Sequence, residues 1–374
     1  MNKSQGDSIR QHFSKLDDPR NPNVRHILSE IITIAICAII CGADTYTQFS
    51  EFGRSKEKWF RKFMQLPHGI PSHDTFGRVF SLLDPECFGD VFRQWVIKAF
   101  PKTQDEVIAI DGKTLRRSHD RKNNKMPIHM VSAWASKCGI VLGQIKTDEK
   151  SNEISAIPAL IKTIDIENAI VTTDAMGCQK KIASTIVRNK ADYVFALKEN
   201  HPDLLADIKL FFKEQIQIEN NPALDCFETI EGDHGRIETR RYYVCSTIDW
   251  LASAHMWDNL NSIALVERQR DMNDTVSHEN AYYLSSIDKR PEKVVNAIRS
   301  HWSIENSLHW QLDVSFDEDQ SRVRKDHAPE NLTVLRHIAL NLLKQEKSLK
   351  AGIKTKRLKA AWDDQYRAKI LSLA

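Results

Sequence analysis

Val107-Ile108-Ala109-Ile110-Asp111-Gly112 is the stretch on which the fold turns. Its apolar run is too short for a buried helix and suits a strand covered on both faces. The run closes on a carboxylate and a glycine, so the strand is expected to end at Asp111. Downstream, His129 to Ser136 and Ile140 to Thr147 read as two strands, and the turn Lys137-Cys138-Gly139 makes them a hairpin. Ser155 to Thr163 reads as a helix with Pro158 in its first turn. Ala169 to Asp174 is a fourth strand, again ending on an aspartate. Cys178 to Asn189 is helical, and Tyr193 to Leu197 is a fifth strand. The order strand, strand, strand, helix, strand, helix, strand predicts an α/β fold: a mixed sheet with helices on its faces.

Outward from this core the pattern changes on both sides. Residues 1–100 read as a helical domain. Ile27 to Ile40 has helical length and period and stops at Gly42, and Pro71-Ser72-His73-Asp74 is a helix-start signal followed by Phe76, Val79, Phe80 and Leu83 at helical spacing. Residues 101–345 are expected to form the catalytic domain. Within it, residues 225–287 break the alternation with short β-type runs (Cys226 to Ile230, Ile237 to Cys245, Ile263 to Arg268, Tyr282 to Ser286) and read as a β-rich insertion. Pro291 then starts a long amphipathic helix expected to carry Glu305. Residues 346–374 read as a basic C-terminal tail.

The 374 residues are 41% apolar and 28% charged, values ordinary for soluble domains. With 53 Lys plus Arg against 50 Asp plus Glu, the net charge of +3 does not mark a nucleic-acid binder, so local clusters have to decide that question. The seven cysteines include no CxxC pair, which argues against a zinc site or a disulfide framework. The polar stretch Met1 to Arg10 lacks a signal-peptide core, and the apolar run Ile27 to Cys41 is too short to span a bilayer. No membrane association and a cytoplasmic location are the expectations.

Two aspartates ending strands gather where open α/β sheets place functional groups. If the first and fourth strands are parallel neighbours, Asp111 and Asp174 lie side by side and repel, a conflict that a hard divalent cation such as Mg²⁺ removes. Glu305 is the best third ligand, because Ile298 and Trp302 precede it on the same helical face and a glutamate on an apolar face needs a partner. Taken singly, each of the three is also compatible with an ordinary turn or boundary residue.

Three blocks then carry a resemblance. Ile108-Ala109-Ile110-Asp111-Gly112-Lys113, Thr172-Thr173-Asp174-Ala175-Met176, and His301-Trp302-Ser303-Ile304-Glu305-Asn306-Ser307-Leu308-His309-Trp310 resemble the catalytic blocks of DDE insertion-sequence transposases of the H-repeat-associated group. Asp18-Pro19-Arg20, Arg25-His26 and Gly42-Ala43 are similar to that group's associated N-terminal domain. The resemblance implies an RNase H-like core with a β-rich insertion, two Mg²⁺ ions (Mn²⁺ substituting) held by Asp111, Asp174 and Glu305, and cleavage and strand transfer at transposon ends. Related transposases often carry Tyr, Arg and Lys around the glutamate; Ile298, His301 and Leu312 stand at those positions, and Arg299 and His301 are expected to take over part of the phosphate contact.

Double-stranded DNA, as transposon ends and target, is the implied partner, with a homodimer on DNA. Candidate phosphate contacts are Lys113, Arg116 and Arg117 of a basic run that continues to Arg121 and Lys122, then Lys198 after the fifth strand, and Arg236 and Arg240 in the run His234-Gly235-Arg236-Ile237-Glu238-Thr239-Arg240-Arg241. Asp317-Glu318-Asp319 reads as a solvated face or charge pair. Competing readings are an inactive DNA-binding remnant and an RNase H-like nuclease without transposition.

Overall fold

The computed structural model describes residues 7–21, 23–100, 105–119, 126–147, 153–233, 236–272 and 275–372. Arg121, Lys122, His234 and Gly235 lie outside the described residues. In chain order the helices are α1 (Asp7–Phe13), α2 (Leu28–Ile40), α3 (Tyr46–Ser55), α4 (Glu57–Phe60), α5 (His73–Leu82), α6 (Pro85–Ala99), α7 (Glu153–Ile161), α8 (Lys180–Arg188), α9 (Pro202–Gln215), α10 (Pro291–His301), α11 (Trp310–Phe316), α12 (Ala328–Gln345), α13 (Ile353–Trp362) and α14 (Asp364–Leu371). The strands are β1 (Val107–Thr114), β2 (His129–Ala135), β3 (Ile140–Thr147), β4 (Ile170–Thr173), β5 (Asp192–Leu197), β6 (Asp225–Asp233), β7 (Arg236–Cys245), β8 (Ser262–Met272) and β9 (Thr275–Ser285). The chain divides into two compact units: Met1–Thr103 with Gly112–Lys150 and Glu305–Ala374, and Gln104–Asp111 with Ser151–Ile304.

The first unit is mostly helical. Every residue of α2 is buried, so it is a central core helix and not an amphipathic surface one. Its one carboxylate, Glu30, is satisfied by the backbone N–H groups of Gln65 (2.8 Å) and Leu66 (3.4 Å). Helix α12 is buried along almost its whole length. Asn331 on it donates to the carbonyls of Phe80 and Leu83, and Asn341 exchanges two hydrogen bonds with the backbone of Val141 in β3. Strand order in this unit is β3-β2 followed by the end of β1, with β2 and β3 an antiparallel hairpin.

The segment after Glu346 folds as α13 and α14, and three of its cations are internal. Lys356 donates to the carbonyls of Leu343 and Glu346 beyond the end of α12. Arg357 binds the Ile39 carbonyl and Asp44. Arg367 stacks 4.1 Å from the Trp59 ring.

In the second unit the strand order is β1-β4-β5-β9-β8-β7-β6. β1, β4 and β5 are parallel; β5 pairs antiparallel with β9, and the remaining strands form an antiparallel meander. Helices α7 to α10 belong to this unit. The mixed sheet with flanking helices is the α/β class expected for an RNase H-like core.

Three local expectations need correction. β1 runs past Asp111 to Thr114, because the last residues join the hairpin side: Thr114 Oγ1 is hydrogen-bonded to His129 Nδ1 (2.8 Å) and the Leu115 N–H reaches the Ile128 carbonyl. Pro158 lies inside α7, which starts at Glu153, and not in its first turn. The insertion strands are longer than the apolar runs suggested. The first six residues of β9 are exposed, so pairing with β8 holds them and not burial. No described helix is long and apolar enough to cross a membrane.

Candidate active site

In the second unit, β1 and β4 are parallel neighbours whose register runs Val107↔Ile170 to Ile110↔Thr173. Asp111 and Asp174 are the next residues along the two strands, so strand spacing of ~4.8 Å sets them beside one another. Asp111 is half-buried and Asp174 exposed. Asp174 Oδ1 accepts from the N–H groups of Met176 (2.9 Å) and Gly177 (3.2 Å), an Asx-type turn that fixes the carboxylate at the strand end. Gly177 is required there: a Cβ on it would lie 2.6 Å from the Thr173 side chain.

Helix α10 packs behind these strands through Val294, Ala297 and Ile298, which share a core with Val107, Ile170 and Val194. Its last residue, His301, is hydrogen-bonded through Nδ1 to the buried Thr172 hydroxyl (2.9 Å). Burial pushes the His301 imidazole down to about 4, against an opposing pull from Asp174, so the ring is neutral at pH 7. His301 therefore ties α10 to β4. Arg299, two residues earlier and exposed, pairs with Glu231 of β6 (2.5 Å). Arg240 of β7 pairs with the same Glu231 and with Glu238, each at 2.8 Å. Arg236 opens β7. Lys198 follows β5, exposed and without an ion pair among the described residues.

In the first unit, Glu305 is not on the Pro291 helix. α10 stops at His301, and Glu305–His309 form one turn of π-helix leading into α11. The change of pitch also undoes the expected face: Ile298 is buried, but Trp302 is 53% exposed. Ile304, Leu308 and Leu312 fill the buried side, and the Glu305 side chain is 57% exposed. His309 Nδ1 donates to Glu305 Oε2 (3.1 Å). That bond holds the Glu305 carboxyl below its ordinary range, against a partial burial penalty and with help from Lys113. π-turns of this kind are concentrated at functional sites.

Lys113 does not point to solvent. Its ammonium binds Asp313 of α11 and Glu318 Oε2 (3.0 Å), and Glu318, 2% exposed, also faces Arg336 of α12 at 3.5 Å. Burial disfavours the Lys113 cation, but the Glu318 and Asp313 carboxylates outweigh it and raise the amine. Arg116 is exposed beside Asp319 (3.2 Å), and the Arg117 carbonyl accepts from Arg324. Of the acidic run, Glu318 is thus an internal charge partner. Neither its role nor that of His309 was readable in advance: Lys113 and Glu318 are 205 positions apart, and a histidine four residues after a glutamate is uninformative until the turn is known.

Residues 10–96 match the model described as DDE_Tnp_1-associated, and residues 102–342 match that of the Transposase DDE domain. The chain belongs to the DDE transposase family. It is 39% identical to the "H repeat-associated putative transposase YhhI" of Escherichia coli (strain K12), over 97% of both chains. It is 40% identical to the "Putative transposase YncI" of Escherichia coli O157:H7, over 98% of this chain and 94% of the other. Among solved structures, a piggyBac transposase synaptic complex with hairpin DNA aligns over 98% of this chain and 79% of that one, with 12% identity and a TM-score of 0.44.

Proposed function

We propose that the protein is a DNA transposase that cleaves and rejoins phosphodiester bonds at the ends of an insertion-sequence-like element, working in the cytoplasm. Asp111, Asp174 and Glu305 are its catalytic carboxylates in this reading. The observation that carries it is the delivery of Asp111 and Asp174 by adjacent parallel strands in a chain of this family. The donor set fits a pair of Mg²⁺ ions, with Mn²⁺ able to substitute. All three are hard oxygen donors, Asp174 has an oxygen outside its turn, and His309 favours the ionised form of Glu305. When bound, the metal supplies Lewis acidity for the attacking water or 3′-hydroxyl and charge for the leaving oxygen.

The chain's own residues supply position. The Asx turn orients Asp174, His301 anchors α10 to β4, and the His309 bond orients Glu305. Lys113 fixes the end of β1 to α11 through Asp313. Phosphate contacts are assigned to Arg116, Arg117, Lys198 and Arg236, and to Arg240 and Arg299 by exchange of Glu231 for a phosphate. Two element ends have to be held together, so a homodimer on double-stranded DNA is the proposed assembly.

Purified protein with Mg²⁺ or Mn²⁺ is expected to nick duplex carrying the element's terminal repeats. Asp111→Asn and Glu305→Gln should abolish nicking and keep DNA binding. Binding without any cutting by the wild type would favour an inactive remnant, and variants that cut like the wild type would remove the triad.

A further inference from the structure

A cleft of ≈ 1280 Å³ opens in the first, mostly helical unit. Its walls are the starts of α3 (Asp44 to Thr47) and α5 (His73, Asp74, Gly77, Arg78) and the segment Asp317 to Ala328 that leads into α12. We propose that this cleft binds the phosphodiester backbone of duplex DNA, as a contact surface additional to the proposed catalytic carboxylates. The inference rests on the transposase reading for the identity of its ligand.

Charge is the first argument. Arg78, Arg322, Arg324 and Lys325 line the cleft, and none has a carboxylate partner among the described residues. Arg324 spends only its Nε, on the Arg117 carbonyl (3.0 Å). One acid on the same walls, Asp44, is neutralised by Arg357 (2.8 Å), which does not line the cleft. Asp74, beside His73 (3.3 Å), Asp317 and Asp326 are the other lining carboxylates, so four cations face three anions and the cleft keeps a positive excess.

Donor geometry is the second. Thr45 and Gln48 form a capping box at the start of α3, which consumes the Thr45 and Gln48 N–H groups and leaves those of Tyr46 and Thr47. Ser72 caps the Thr75 N–H of α5 and leaves those of His73 and Asp74. Two helix N-termini therefore open on the cleft beside the free cations. The third argument is independent of both. Tyr46 lines the cleft, and its hydroxyl is buried and has no hydrogen-bond partner among the described residues. Burial raises its pKa, so it remains protonated and able to donate. A phosphate oxygen supplies the missing acceptor. Base edges are not called for, because every donor here suits an anion and none is paired with an acceptor in a base-reading pattern.

The test is fluorescence anisotropy of the full chain in EDTA, on labelled terminal-repeat duplex and on unrelated duplex of equal length, across a salt series. Arg322→Ala with Lys325→Ala should weaken both duplexes by the same factor, roughly ten- to a hundred-fold at 0.1 M salt, and reduce the log–log salt slope by about 2. Asp317→Asn should do the reverse and tighten binding. Its backbone is in the left-handed region (φ 51), which asparagine tolerates, so the gain separates charge from damage. Tyr46→Phe should weaken binding several-fold with the slope kept. An unchanged affinity and slope in the double variant overturns the proposal, as does a loss confined to the terminal-repeat duplex. Wild-type nicking assayed in parallel separates the two readings. Nicking with an unaltered salt slope in the double variant removes the cleft alone. Binding that responds as described without nicking removes the catalytic reading alone. No duplex binding by the wild type removes both.

Discussion

Replacing Lys113 by methionine separates two roles that the sequence leaves open, phosphate contact and internal anchor. The Lys113 side chain is 12% exposed and that of Glu318 1%. Removing the ammonium leaves Glu318 with Arg336 at 3.5 Å as its remaining cation and frees Asp313. Breaking a buried pair by deleting one member costs about 3–5 kcal/mol, and the surviving arginine places Lys113→Met near the lower end, about 3 kcal/mol. Glu318→Gln in the same chain removes the stranded charge, so the double variant should recover a large part of that loss. Guanidinium denaturation followed by tryptophan fluorescence and by circular dichroism reads both. DNA affinity across a salt series is the companion measurement, with the slope expected to stay at the wild-type value. A stability loss under about 1 kcal/mol, together with a salt slope lower by about 1, would refute this reasoning and return Lys113 to the DNA surface.

Gly177→Ala forces a contact at 2.6 Å to relax by most of an ångström at the turn that holds Asp174, so nicking should fall about a hundredfold while the denaturation midpoint moves little; full activity would mean the Asx turn does not orient the carboxylate. For Glu346, burial works against the anion, but hydrogen bonds from Ser348 and Tyr366 prevail and take its carboxyl down to about 2. A depressed folded value stabilises above the unfolded carboxylate range and is lost as pH falls towards about 2, so Glu346→Gln should flatten the stability profile between about pH 4.5 and 2, read by chemical denaturation at each pH. Arg357→Met removes bonds to the carbonyls of Ile39, Ala43 and Ser315 and the pair with Asp44, and should cost about 3 kcal/mol or more in the same denaturation assay; a smaller loss would mean those groups find other partners.

What was legible follows from where periodicity carries information. β1, β4 and β5 are apolar runs bounded by polar residues, and their α/β alternation fixes the sheet class, so Asp111 and Asp174 could be placed on strands before any coordinates. The outer halves of β8 and β9 could not be read, because exposed paired strands show neither alternation nor apolar runs. The basic segment after Glu346 shows a limit of composition. Lys356, Arg357 and Arg367 are each buried against carbonyls or aromatic rings, and those partners lie as far away as Ile39 and Trp59. Charge count reports solvation only when the acceptors that replace water are absent.

The same logic explains why Glu305 is in a π-turn. An uninterrupted helix from Pro291 would place Glu305 seven residues after Ile298, on the stripe that packs into the core. Burying an unpaired carboxylate there is costly. The chain instead breaks after His301 and widens at Glu305–His309, which gives the buried positions to Ile304, Leu308 and His309 and turns the carboxylate outward. His309 then serves both sides of the boundary: the residue is 4% exposed, yet its Nδ1 reaches the Glu305 oxygen and keeps it ionised. The Ile-Glu-Asn-Ser-Leu-His run is thus a local solution to one physical conflict, a charged group needed at the rim of an apolar core. That conflict, and not helical periodicity, is the signal that marks the proposed third carboxylate.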